Sequence, residues 1–236
     1  RCSTRSSATP RCPRTPALTP DPTRRAVLRD AYGLGAAVGL YGATFGAAAI
    51  TAGLSTAQAC VLSLLMFTGA SQFALAGVLG AGGSAASAVA GALLLGSRNA
   101  LYGVRMSALA PERGLRRVVA AHLTLDESAG MGVAAPPGYA GTAFWATGGT
   151  VFVVWNTMTL LGALGAAQLG DPAALGLDAL VPAAFLALLW PQLRSRDSLA
   201  LAGAGALVAL VSLPFVPAGV PVLLAGLTVL PLLRTR

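Results

Sequence analysis

The chain alternates between long apolar blocks and short charged stretches. No Asp, Glu, Lys, Arg or His occurs in residues 31–97, 128–170 or 198–233. A membrane-spanning helix needs about 20 apolar residues, so each block can hold one or more spans. The pattern predicts an all-α polytopic membrane protein with about seven hydrophobic segments, at 32–54, 58–81, 84–110, 141–169, 175–189, 198–213 and 215–233.

Composition supports the same class. Hydrophobic residues make up 55% of the 236 and charged residues only 10%, against about 25% charged in a soluble domain. The net charge is +8, and every positively charged residue is an Arg. The arginines are concentrated before residue 30 and at the ends of apolar blocks. This is the distribution of a positive-inside membrane topology, so we expect a lipid bilayer as partner and no nucleic acid. The three cysteines have no metal-site spacing, and we expect neither a metal nor a cofactor.

The sequence divides into a tail and one domain. Residues 1–23 are rich in Pro, Ser, Thr and Arg, which is typical of a disordered tail. They contain no apolar core of a signal peptide. Residues 24–236 are predicted to form a single transmembrane domain.

The stretch from Leu62 to Arg105 is both apolar and interrupted. Ser71 and Gln72 lie within one apolar run, and Arg98 and Asn99 lie at the end of the next. Lipid tolerates polar groups and irregular backbone only where protein or a water-filled cavity surrounds them. We therefore expect glycine-broken or re-entrant helices around a transport site. The glycines concerned are Gly69, Gly77, Gly80, Gly82, Gly83, Gly91 and Gly96.

The arginines create a topological conflict. Arg29 and Arg113 should both be cytoplasmic, which requires an even number of crossings between them. Simple counting gives three apolar segments there. Either the 111–117 loop lies outside, or one glycine-rich segment is re-entrant and does not cross.

Two further patterns concern packing. Gly35, Gly39, Gly42 and Gly46 share one helix face, which predicts a close packing seam with another span or with a partner subunit. A faint internal repeat relates 45–46 and 72–73 to 164–165 and 192–193 at nearly equal spacing. Repeats with interrupted helices in matching positions point to a transporter site.

Several polar residues are candidates for substrate binding. Arg98 shares a helix face with Tyr102 and Arg105, and it can bind a carboxylate by two hydrogen bonds or extend to the interface. Ser71 and Gln72 can contact substrate or merely link helices. Asn99 lies beside Arg98.

Three titratable residues and one amide follow later in the chain. His122 and Asp126 are one helical turn apart, with Glu127 next, so they can relay protons or can lie on an exposed surface helix. Asn156 lies near the middle of a span, where it either packs against other helices or meets substrate.

Taken together, the motifs resemble a known family. GASQFA (69–74), RNALYG (98–103) and LDES (125–128), in this order and at these spacings, resemble the AzlC-type branched-chain amino-acid permeases over residues 32–233. The resemblance implies a multi-pass cell-membrane exporter of valine, leucine, isoleucine and analogues such as azaleucine. It also implies a small AzlD-like membrane subunit as partner.

The resemblance extends to particular residues. It places Ser71, Gln72, Arg98, Asn99 and Asn156 at substrate-binding positions, and Asp126 and Glu127 at proton- or ion-coupling positions. Many members have a pattern like Asn-x-Arg-His where this chain has Ser97 to Ala100, which weakens the assignment of Arg98. No Walker A sequence occurs, so secondary active transport is favoured over ATP hydrolysis.

Alternative functions remain open. The chain can be a structural subunit whose partner carries the transport, with the glycine seam as its interface, or a channel for another small polar solute. An integral-membrane enzyme is disfavoured because no acid cluster, paired His ligands or nucleophile motif occurs in the sequence.

Overall fold

The computed structural model describes residues 22–169 and 179–229, and all regular secondary structure within these ranges is helical. The all-α prediction is therefore confirmed for the described residues. The predicted tail lies outside them except for its last two residues, which begin the first helix. The start of the predicted 175–189 segment and the end of the 215–233 segment also lie outside. The helices are α1 Pro22–Leu40, α2 Gly42–Thr51, α3 Thr56–Leu65, α4 Gly69–Gly80, α5 Ala85–Gly96, α6 Arg98–Leu109, α7 Gly114–His122, α8 Asp126–Ala134, α9 Ala140–Ala167, α10 Leu180–Leu189, α11 Arg196–Ser212 and α12 Val220–Gly226.

Within residues 22–169 and 179–229, two helical stretches are long and apolar enough to cross a membrane. They are Thr23–Thr51, which combines α1 and α2, and Ala140–Ala167, which is α9. The segments predicted at 58–81 and 84–110 are each divided into two helices of 10 to 12 residues. The prediction of broken helices is confirmed, whereas the count of seven segments stays a prediction.

The α1–α2 stretch packs against α9 through glycines. A Cβ built on Gly35 would lie 2.8 Å from Thr150 Cβ, and one built on Gly46 would lie 2.1 Å from Thr159 O. Later residues of α1–α2 contact later residues of α9, so the two stretches run parallel. The predicted seam is confirmed, and its partner is another helix of the same chain. The seam is therefore occupied, and the idea that it forms the interface of a scaffold subunit is wrong.

The α3–α4 pair is a hairpin that folds back on itself. α3 begins four residues after Ala52, and a Cβ on Gly80, at the end of α4, would lie 3.4 Å from Ala52 Cα. Both ends of the hairpin are thus beside the end of α2. Its turn, residues 66–68, lies deep in the bundle, where the Phe67 ring is 5.0 Å from that of Phe152 in the middle of α9.

This hairpin bears on the topological conflict. The α5–α6 stretch runs back to the other end, where a Cβ on Gly141, near the start of α9, would meet Ala110 at 3.5 Å. Only α1–α2 and α5–α6 run the length of the bundle between residues 30 and 111. The number is even, as the arginines require. The re-entrant alternative for 58–81 fits this arrangement, and the membrane topology stays a prediction.

The α7–α8 pair is a second hairpin, entered from the opposite end. Glu112, just before α7, accepts a hydrogen bond from Trp145 Nε1 at 2.8 Å. A Cβ on Gly132, in α8, would lie 3.4 Å from the carbonyl oxygen of Ala140 at the start of α9. α7 itself has no buried residue, as the surface-helix alternative implies, whereas Leu123, Thr124 and Leu125 in the turn after it are buried. This turn meets the first one, with the Phe67 and His122 rings 5.8 Å apart.

The last helices cover α4 and α5. The Phe185 ring of α10 lies 6.5 Å from the Phe73 ring of α4. α11 ends at Ser212 and α12 begins at Val220, as the prolines at 214 and 217 predict. The internal repeat stays a prediction, since Gln72 lies in the first turn of α4 whereas Gln192 ends a 3-10 turn after α10.

Candidate functional site

A cavity of about 210 Å³ lies where the helix interruptions converge. A single water needs only about 10 to 15 Å³ measured in the same way, so the space is suited to a small solute. Its walls come from the turns of both hairpins, from the start of α6 and from α1, α4, α9 and α10. The lining residues are Val38, Tyr41, Phe67, Thr68, Gly69, Ala70, Phe73, Arg98, Leu125, Asp126, Glu127, Val151, Trp155 and Ala187.

The start of α4 presents backbone donors to this cavity. Thr68, the residue before the helix, is extended (φ −156°, ψ 107°) and its side chain makes no capping hydrogen bond. Among the described residues, no acceptor is bound to the N–H groups of Gly69, Ala70 or Ser71. The first N–H groups of a helix are its unsatisfied donors and carry partial positive charge. This end of α4 is therefore suited to an anion.

The start of α8 presents carboxylates to the same cavity. Asp126 and Glu127 occupy its first turn, where negative side chains are stabilised by the helix dipole. The preceding turn is fixed by the fully buried Ser128, whose hydroxyl accepts from the Leu125 N–H at 2.9 Å and donates to the Leu123 carbonyl at 2.6 Å. The cavity thus has hydrogen-bond donors on one side and acids on the other.

An ion pair joins two of the predicted site residues. Arg98 Nε donates to Asp126 Oδ1 at 3.1 Å and Nη2 donates to Oδ2 at 2.5 Å. The Tyr102 side chain, one turn along α6, lies near the same carboxylate. The two-pronged geometry predicted for Arg98 is present, but its partner is a carboxylate of the protein itself. The pair links the start of α6 to the start of α8 at the cavity wall.

Gln72 and Ser71 lie behind the cavity and are not among its lining residues. Gln72 is fully buried, its Nε2 donates to the Met66 carbonyl at 2.8 Å and to the Ser63 carbonyl at 3.4 Å, and its Oε1 accepts from Trp155 Nε1 at 3.0 Å. Ser71 donates to the Ala92 carbonyl of α5 at 2.8 Å. Both polar side chains are engaged with the protein and hold the interrupted helices in place.

The remaining candidates are also placed outside the lining. Asn99 is half-buried on α6, and its Oδ1 is buried without a partner among the described residues. Asn156 donates from Nδ2 to the Phe152 carbonyl at 2.8 Å, and its Oδ1 is likewise unpartnered.

His122 and Asp126 are not one turn apart on a helix, because the turn at 123–125 separates α7 from α8. That spacing prediction is wrong. The His122 ring packs against the rings of Phe67 and Phe152, each at 5.8 Å.

Aromatic residues form a part of the site that motif reasoning missed. Trp155 packs against the Phe45 and Phe73 rings, each 6.4 Å away, and a Cβ on Gly69 would lie 3.0 Å from its indole ring. A tryptophan in the middle of a glycine-rich span, beside the candidate Asn156, was the available signal. It pointed to this turn of α9, where Trp155 lines the cavity and Asn156 does not.

The family model described as AzlC protein matches residues 34–169, more than half of the chain. The chain belongs to the AzlC family. The match includes both hairpins, the crossing stretches between them and all of the cavity lining except Ala187. Searches of curated proteins and of solved structures find no match. The indicated function of this AzlC protein is membrane transport, as the sequence resemblance implied.

Proposed function

We propose that this AzlC protein is a secondary active transporter in the cell membrane that exports branched-chain amino acids and analogues such as azaleucine. A small AzlD-like membrane protein is its proposed partner. The single observation that carries the proposal is the cavity at the meeting point of two opposed hairpins. It combines an uncapped helix start, acidic side chains and apolar walls.

These features match the three parts of a branched-chain amino acid. The N–H groups at the start of α4 provide donors for its carboxylate. The Glu127 carboxylate provides an acceptor for its ammonium. Val38, Val151 and Trp155 provide an apolar surface for its side chain.

The charge pair has a separate role in this proposal. Because Arg98 is already bound to Asp126, using it as the substrate's ligand would require this two-pronged ion pair to open. We assign the pair to holding α6 against α8. Glu127 has no ion-pair partner among the described residues, and we assign proton or ion coupling to it.

Orientation follows from the arginines. Arg29 precedes the first crossing, and Arg113 and Arg116 adjoin the second hairpin at the same end of the bundle. By the positive-inside rule this end is cytoplasmic. The α3–α4 hairpin then enters the membrane from outside and the α7–α8 hairpin enters it from inside. Their turns meet at the cavity, so one hairpin lies between the cavity and each face of the membrane.

The proposal is tested with purified protein in liposomes by leucine counterflow, the exchange of internal unlabelled for external labelled leucine. Protein alone should exchange leucine, valine and isoleucine, and should exchange lysine or glutamate much less. Exchange that appears only after the AzlD-like subunit is added would favour the scaffold alternative. Exchange of charged or unbranched polar solutes at equal rates would favour a channel.

A matched pair of variants tests the site itself. Gly69→Pro removes one N–H donor at the first helical position, where proline is tolerated, and the extended Thr68 already suits a following proline. Gly69→Ala keeps the donor and adds a methyl group toward Trp155. Losing a hydrogen bond to a charged group costs about 1.5 to 3 kcal/mol, so the proline variant should bind leucine roughly 10- to 100-fold more weakly than the alanine variant.

A further inference from the structure

A groove on the outer surface of the bundle is separate from the transport cavity. It lies between α1 and the first half of α9, has a volume of about 340 Å³ and is lined by Tyr32, Trp145, Ala146, Gly149, Thr150, Val153 and Val154. Its floor is a glycine without a packing role, since a Cβ on Gly149 would meet nothing within 4 Å. The other α9 glycine level with α1, Gly148, is packed against Leu123. The described residues therefore leave the space over Gly149 unfilled.

The residues of this groove change in character along the helix axes. Arg25, Arg29 and Tyr32 are spaced at i, i+4 and i+7, so the two arginines lie on the same face of α1 as the groove residue Tyr32. Tyr32 and Trp145 follow one turn farther from the cytoplasmic end. Gly149 and Val153 lie deeper still. Charge, aromatic rings and apolar surface thus succeed one another in the order of a phospholipid's headgroup, glycerol region and acyl chain.

The ring of Trp145 is held at the mouth of the groove. Its Nε1 donates to Glu112 at 2.8 Å, and the Arg116 guanidinium lies 5.4 Å from the ring centroid. Arg116 is paired with Glu112 at 3.2 Å. The fixed ring gives a rigid wall, and it brings the Arg116 guanidinium to the groove.

The charge at this mouth favours an anion. The segment 24–29 carries three arginines against the neighbouring Asp30, whose pair with Arg29 is exposed on both sides, at 79% and 55%, and is therefore weak. The 111–117 loop carries three arginines against Glu112. A zwitterionic headgroup would gain little there, whereas each arginine near a membrane surface attracts an anionic lipid.

We propose that the groove binds one anionic phospholipid of the inner leaflet, with its phosphate at Arg25 and Arg29 and an acyl chain over Gly149. Such a lipid would brace α1 against α9, the two helices that also wall the transport cavity. The site needs only a membrane-embedded chain and is independent of what the cavity carries.

Native mass spectrometry of the purified protein tests this with phosphatidylglycerol and phosphatidylcholine of identical acyl chains. Wild-type protein should retain one phosphatidylglycerol and bind it at least about tenfold more tightly than phosphatidylcholine. Arg25→Gln together with Arg29→Gln should lower that affinity roughly 5- to 30-fold. Gly149→Leu, which fills the groove, should remove the retained lipid.

The control is Gly165→Leu, at another open glycine of α9, which should retain the lipid. Soluble glycerol phosphate should not displace it. Equal binding of the two lipids, an unchanged Gly149→Leu variant, or displacement by glycerol phosphate would each overturn the proposal. None of these readouts depends on leucine transport.

Discussion

Gln72 either binds the substrate or holds the interrupted helices in place, and replacing it distinguishes these two roles. Replacing it with alanine removes its hydrogen bonds to the Met66 and Ser63 carbonyls and to the Trp155 indole. Gln72 and Ser63 are fully buried and Trp155 is 5% exposed, so little water reaches the partners left behind. The turn between α3 and α4 then loses the side chain that ties it to both α3 and α9.

The expected loss of stability follows from the three hydrogen bonds that are removed. Hydrogen bonds between membrane helices are worth about 0.6 kcal/mol on average, so three amount to about 2 kcal/mol. The space left by the missing amide adds to this, giving about 2 to 4 kcal/mol in all. At about 2 to 4 °C per kcal/mol for a chain of this size, Gln72→Ala should lower Tm by about 4 to 16 °C.

The assay is the thermal stability of a fluorescent-protein fusion in detergent, followed by size-exclusion chromatography. Trp155→Phe removes only one of the three hydrogen bonds and should lower Tm by a smaller amount. The double variant should show a coupling of about 0.6 to 1.7 kcal/mol. Gln168→Ala, at an exposed glutamine after α9, is the control and should change Tm little. If Gln72→Ala keeps the wild-type Tm and loses leucine binding, Gln72 is a substrate ligand and the bracing role is refuted.

The other contacts give further predictions. Gly46→Ala places a methyl group against the backbone of Thr159 and Ala163 and should cost about 1 to 3 kcal/mol of stability. Gly33→Ala, at an open position of α1, should not lower stability. Equal Tm values for the two variants would contradict the seam. Arg98→Ala leaves Asp126 without its ion-pair partner and should abolish leucine exchange. The reversed pair, Arg98→Asp with Asp126→Arg, should restore part of that exchange. No recovery in the reversed pair would argue against a holding role for the ion pair. Glu127→Gln keeps an oxygen acceptor for the ammonium but removes the charge, so leucine counterflow should persist with weaker leucine binding. Accumulation driven by an ion gradient should be lost, and accumulation at wild-type rates would remove Glu127 from coupling.

Residue pattern was sufficient for the membrane class, the broken helices and the glycine seam, because each depends on local composition. Eight glycines flank or thin the helices between 62 and 105, and the structure places Gly69 at the start of α4 and Gly96 at the end of α5. The conflict among the arginines left two alternatives, an outside 111–117 loop or a segment that does not cross. The α3–α4 hairpin matches the second.

The pairing of side chains could not be predicted, because it depends on contacts between distant segments. Arg98 and Asp126 are 28 positions apart and meet only because one crossing helix and one hairpin are interrupted at the same depth. Gln72 and Trp155 are 83 positions apart. Sequence reasoning identified polar residues in apolar surroundings correctly, yet it had no means to tell which of them face the cavity and which hold its walls.

The central claim is that the cavity between the hairpin turns receives the transported amino acid. The most direct measurement is the rate at which a water-soluble thiol reagent modifies Thr68→Cys, with the three native cysteines replaced by serine and Ser107→Cys as an exposed reference on α6. We predict that leucine slows modification at position 68, with half-protection near its binding constant, and leaves position 107 unchanged. Modification at position 68 that is unaffected by leucine, or slowed equally at both positions, would contradict the account.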